Sequence, residues 1–169
     1  MPVRTDRVVV GVDALLSQRA ALRWAAKEAL HRHAVLCPVL AWSPPYGETL
    51  SALFPGPEAA DTRCGEAARK QLTALCRAAL PRQADRLDIE AVVARADAGR
   101  ALIACATHPT DLLVISADGD HSLRHDRTRR YCRRHAPCPV VVVGDSGPCG
   151  QVLERWTPSS SRYSRGSAS

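Results

Sequence analysis

The sequence predicts an α/β fold: a five-stranded, doubly wound parallel sheet with helices on both faces. Three observations lead there. Short runs rich in β-branched residues recur at 8–12, 35–41, 89–94, 112–116 and 139–143. Segments with helical spacing of apolar residues separate them, and alternation at this length builds βαβ units with right-handed crossovers. The first run, Val8 to Val12, is apolar at every position, as a strand covered on both faces requires.

After that strand, a helix is predicted from about Ser17 or Gln18 to His33. Leu22, Ala25, Ala26 and Ala29 form its apolar stripe, and Arg19, Arg23, Lys27 and Arg32 its wet side. The second strand contains Pro38, which a ladder tolerates only near an end or an irregularity. From Ser43 to Ala60, four prolines and two glycines mark a long loop. Asp61 is the expected cap of a second helix reaching Ala79, with Cys64, Ala68, Leu72, Leu75 and Ala79 on one face and Pro81 ending it. After the third strand comes a short helix at 99–106, and between the last two strands a helix over about 126–135. Residues 1–145 therefore form one domain. Residues 146–169, rich in Ser, Gly, Pro and Arg without apolar period, read as a disordered tail.

A domain of about 145 residues buries roughly 70% of its unfolded surface, enough for a core without staples. That core must be aliphatic, because aromatic residues are 4% of the chain. The seven cysteines include no CxxC pair, and no signal-peptide pattern precedes Val8, so they read as free thiols of a cytoplasmic protein. No apolar run reaches the ~20 residues of a membrane span. Net charge is +6, and five of these charges come from 124–134, where Arg124, Arg127, Arg129, Arg130, Arg133 and Arg134 face one Asp126. A solvated helix face and an anion site both fit such a run. Nucleic acid is disfavoured, since only Tyr131 interrupts the arginines and no DNA-binding motif accompanies them.

In doubly wound sheets, ligands bind beyond the carboxyl ends of the strands where the strand order reverses. That rule selects the residues around Val12, Ala41, Ile115 and Val143. Two blocks there, VVVGVD at 8–13 with SQRAALRWAAKEAL at 17–30, and DLLVIS at 111–116 with HAPCPVVVV at 135–143, resemble the universal stress protein family. The resemblance covers about 1–145. It implies the strand order 3-2-1-4-5 of adenine nucleotide alpha hydrolase-like folds, and dimerisation through the last strand, Val140, Val141, Val142 and Val143. It also implies adenosine contact at Val12 and Asp13 and adenine contact with the backbone at Leu40 and Ala41. Capping of the following helix is the structural alternative for Asp13.

The ATP-binding branch of that family follows its fourth strand with Gly-x-x-Gly, nine residues, then Gly-Ser or Gly-Thr. Small residues let backbone N–H groups close on phosphate at a helix N-terminus. Here Ser116 takes the first glycine position, Gly119 keeps the second, and Asp126-Arg127 replaces Gly-Ser after a spacer three residues shorter. Asp118, Asp120 and Asp126 bring carboxylates to the place of a polyanion. One like-charge contact at about 4 Å costs about 4 kcal/mol at an effective dielectric near 20. Arg124 and Arg127 offer side chains in place of a preformed cradle.

Two function classes follow. The first is a stress-response regulatory or adaptor protein, homodimeric and not an enzyme, with a degenerate ATP loop and no cofactor. The second is an adenine-nucleotide sensor that binds ATP or AMP through Asp13, Ala41 and the arginines; slow ATP hydrolysis is a remote third reading without a nameable base. Neither metal nor catalysis is expected. His121 and His125 with Asp118 and Asp120 lack a firm third ligand, and Cys132, His135 and Cys138 lack an orienting group. Cys138, between two prolines, reads as a small packed apolar group.

Overall fold

The computed structural model describes residues 5–13, 19–43, 57–82, 84–117, 123–144 and 147–148. Its strands are β1 (Arg7–Val12), β2 (Val35–Trp42), β3 (Val92–Arg95), β4 (Leu112–Ser116), β5 (Val140–Gly144) and β6 (Gly147–Pro148). Its helices are α1 (Arg19–Arg32), α2 (Pro57–Ala79), α3 (Ala98–Cys105) and α4 (Leu123–His135), with a 3-10 turn at Ala84–Arg86. The sheet order is β3-β2-β1-β4-β5-β6. The first five strands are parallel, in the expected order. The sixth, two residues long and antiparallel, was not foreseen: it lies within the segment read as tail, and its Pro148 and Gly147 pair with Val143 and Gly144. The rest of that segment, like Gly119, Asp118, Asp120, His121 and most of the 43–60 loop, lies outside the described residues.

The two faces of the sheet carry separate cores. Val8, Val10 and Val12 face α1 and α2 with Leu36, Leu40, Leu112, Val114 and Val141. Val9, Cys37, Val39, Leu113 and Ile115 face α3 and α4 with Leu102, Cys132 and Cys138. Alternation along β1, β2 and β4 thus supplies both layers from one run of apolar residues. Each fully buried Val or Leu, such as Leu22, Leu36 or Val9, contributes about 1.5–3 kcal/mol by leaving water.

Several boundaries differ from the expectation for identifiable reasons. β3 begins at Val92, not Ile89, which makes only an isolated bridge to Leu36. On that side Leu36 donates to the Asp88 carbonyl (2.8 Å) and accepts from the Glu90 amide (2.9 Å). The next residue of β2 facing the same neighbour is Pro38, which has no N–H to give. The ladder therefore lapses and resumes at Val39↔Val92. Helix α2 starts at Pro57, four residues before Asp61, because proline suits a first helical position. Of its predicted stripe, Ala68, Leu72, Leu75 and Ala79 are buried, but Cys64 is exposed. Helix α4 starts at Leu123, three residues earlier than expected.

Helix α1 ends in a Schellman motif. The amide of Ala34 donates to the Ala29 carbonyl (2.9 Å) and that of His33 to the Leu30 carbonyl (3.3 Å). His33 holds the left-handed conformation (φ 52) usual for glycine there.

Candidate functional site

From β1 the chain winds outward to β2 and β3 in one direction, and from β4 to β5 in the other. The strand order therefore reverses between β1 and β4, and it is beyond the carboxyl ends of strands at such a switch point that doubly wound sheets bind ligands. Val12 and Ser116 each stand two residues past the last ladder pair of these strands, Val10↔Val114. Val12 is buried against the α1 layer and paired with Leu40 of β2, and half-buried Asp13 follows it directly. Leu40 is buried and Ala41, half-buried, pairs with Ala94. Beside them the guanidinium of Arg95 lies 5.9 Å from the ring centre of Trp42, a cation–π arrangement at the last residues of β3 and β2.

Five predicted site residues (Val12, Asp13, Leu40, Ala41 and Ser116) thus share one edge of the sheet. The arginines come next in the chain. Ser116 is only 5% exposed, and the following Ala117 amide donates to the Val143 carbonyl (2.7 Å), tying the exit of β4 to β5. In α4, Asp126 closes the first turn and accepts a hydrogen bond from Arg129, while Arg127 beyond it is exposed. Arg124 lies in the helix, but its side chain falls outside the described residues. Arg130, Arg133 and Arg134 are exposed too, and Cys132 turns inward, wholly buried.

Arg19 was read as wet and is not: it is half-buried, and its Nε, shielded from solvent, has no hydrogen-bond partner among the described residues. It opens α1, the helix that follows β1 and Asp13 in the chain. A cation in a first turn opposes the helix dipole, and that mismatch is the signal sequence reasoning passed over.

Polar chemistry at the opposite end of the sheet is structural. Asp111, fully buried before β4, accepts from the Arg7 amide through Oδ1 (3.1 Å) and from the Thr107 and His108 amides through Oδ2 (3.1 and 2.9 Å). Thr110 donates to Asp6 (2.6 Å) alongside. The six described cysteines are free. Burial, with Cys138 nearby, pushes the Cys132 thiol up to about 12; burial, with Asp111 nearby, pushes Cys138 up to about 11. Both pack as small apolar groups, as expected of Cys138. No group of three or more metal-ligating side chains occurs among the described residues, and no helix among them is long and apolar enough to cross a membrane.

The sequence profile of the universal stress protein family matches residues 4–144. The chain belongs to that family. Solved universal stress proteins share its fold. One in complex with cAMP is 21% identical with a TM-score of 0.56, covering 84% of this chain and 98% of its own. That of Lactobacillus plantarum is 23% identical with a TM-score of 0.53, covering 83% and 98%. That of Archaeoglobus fulgidus, in complex with dAMP, is 18% identical with a TM-score of 0.52, covering 81% and 96%. No curated protein matches the sequence. The universal stress protein fold thus holds across nearly the whole length of these relatives, with β6 added beyond the residues that the family profile covers.

Proposed function

We propose that this universal stress protein is a cytoplasmic regulatory adaptor that does not hydrolyse nucleotide and whose phosphate loop has lost its grip on ATP. The observation that carries this reading is Asp126. The family's glycine-rich loop delivers phosphate to the start of the helix after β4, where partial positive charge collects. Here a carboxylate stands in that first turn, held by Arg129. Its charge suits the positive end of the helix dipole and repels a polyanion. Ser116, buried at the end of β4, takes the first glycine position, and an open backbone cradle needs a small residue free to turn. The chain then acts through association, with itself or another protein. The outer edge of β5 supports this: among the described residues only β6 pairs with it, at Val143 and Gly144, which leaves Val140, Val141 and Val142 for a second strand.

A second reading keeps an adenine nucleotide. Two relatives were solved with cAMP and dAMP, and each of these carries a single phosphate. Such a ligand needs less cradle than ATP. Asp13, the backbone of Leu40 and Ala41, and the Trp42–Arg95 pair would receive its adenosine, with Arg127 near its phosphate.

Thermal shift with millimolar ATP, AMP and cAMP separates the two. A ligand at 100 times its dissociation constant stabilises by about 2.7 kcal/mol. The adaptor reading expects no shift with any of them, and a shift with ATP overturns it. A shift with AMP or cAMP that disappears in Asp13→Ala establishes the second reading. A monomer in light scattering removes self-association.

A further inference from the structure

We propose that the outer face of α4 docks an acidic helical segment of another protein through Arg127, Arg130 and Arg134. These residues stand at i, i+3 and i+7, so they fall in one stripe along the helix, about 10 Å long at 1.5 Å per residue. The stripe lies on the side away from Cys132, which is wholly buried in the core between helix and sheet. All three arginines are exposed, and so is Arg133 on their flank. The single acid of α4, Asp126, is already paired with Arg129. None of the four exposed arginines has an ion pair or side-chain hydrogen bond among the described residues. Like charges at these spacings weaken a helix. An anionic partner would relieve that cost.

The occupant follows from charge and spacing. A second copy of this chain is a poor candidate, because its net charge is +6. The chain's own last stretch is no better, since 149–169 holds three arginines against one glutamate. Nucleic acid is gripped by its phosphates, often at a helix N-terminus, and by stacking of its bases on aromatic rings. Here Asp126 stands in the first turn of α4, and half-buried Tyr131 is packed against Gly99 and His135. Carboxylate side chains need neither feature. Each pairs with one guanidinium fork, a bidentate geometry that lysine lacks, and α4 contains no lysine. Along the axis the arginines are about 4.5 and about 6 Å apart, which matches acids three and four residues apart on a helix. Alternate residues of a strand, roughly 6.7 Å apart, match less well. That the occupant is a protein rests on the adaptor reading above.

The test is fluorescence anisotropy with the full chain and a labelled alanine-based helical peptide carrying glutamates three and four residues apart. The glutamate peptide is expected to bind, less tightly as salt is raised, and its glutamine counterpart is not. Arg130→Glu with Arg134→Glu should weaken binding at least about tenfold. Arg69→Glu with Arg77→Glu changes the net charge equally on the exposed face of α2 and should stay within about threefold of wild type. Should charge reversal unfold the protein, Arg130→Gln with Arg134→Gln reads the same loss at smaller size. Absence of binding, equal loss in the α2 variant, or tighter binding of a DNA duplex than of the peptide overturns the proposal. The adaptor reading survives that failure, because its own test is the nucleotide-induced thermal shift, which does not involve the peptide.

Discussion

Gly99 of α3 lies against the ring of Tyr131 of α4, so near that a Cβ on Gly99 would stand 2.8 Å from Tyr131 Cδ1 and 3.3 Å from its Cβ. The atoms met belong to the root of the side chain, which cannot swing away without moving α4. Gly99→Ala is therefore expected to force the two helices apart and cost about 1–3 kcal/mol. Chemical denaturation measures it. In a double-mutant cycle with Tyr131→Ala, a large part of the loss should disappear, and strict additivity would contradict the contact.

Asp111→Ala should be more damaging. It orphans the amides of Arg7, Thr107 and His108 together, and a buried unsatisfied donor costs about 1–3 kcal/mol. A loss of about 3 kcal/mol in urea unfolding is expected, with Asp111→Asn losing less because an acceptor oxygen remains. Nucleotide response should be unaffected, since this network lies at the far end of the strands from Asp13.

His33→Gly is expected to stabilise the protein. A side chain in the left-handed region costs about 1–2 kcal/mol, and His33 is exposed at φ 52 with no side-chain hydrogen bond among the described residues beside its backbone bond. A gain of about 1 kcal/mol, read as a raised denaturation midpoint, checks it; a lowered midpoint would mean the imidazole contributes to the turn.

Alkaline pH should weaken the fold through its buried thiols. Cys132 is raised from 9.0 to about 12, so above pH about 9 the unfolded chain loses a proton that the folded chain keeps. Stability is then full below about 9 and declines as pH rises toward about 12. Cys132→Ala removes this contribution, so its denaturation midpoint should fall less than wild type between neutral pH and about pH 10.5. Parallel declines would show that other groups govern the alkaline limb.

Much of this architecture is written in local pattern. The β-branched runs announce five strands because both sides of each must be buried, and strand order alone then places Asp13, Ala41 and Ser116 on one edge. What the pattern does not carry is long-range. Pro38 shortens β3, a different strand, through a hydrogen bond it cannot make. Arg19 sits on the polar side of its helical wheel and is nonetheless half-buried at the start of α1. Cys37 and Cys105 belong to separate elements, and only packing of α3 on the sheet brings them into one core. The extra strand at Gly147–Pro148 has no apolar period to betray it.

The missing amide of Pro38 also shapes the outer rim of the sheet. With the β3 rim reduced to four paired residues and interrupted before them, that flank is a poor template for another chain, whereas on the opposite flank β6 pairs with β5 at Val143 and Gly144 and not at Val140, Val141 or Val142. Growth of the sheet is thereby polarised. If two molecules join through β5, as the proposed adaptor reading has it, a third would find no comparable seam, and a finite pair would be favoured over an open-ended fibre.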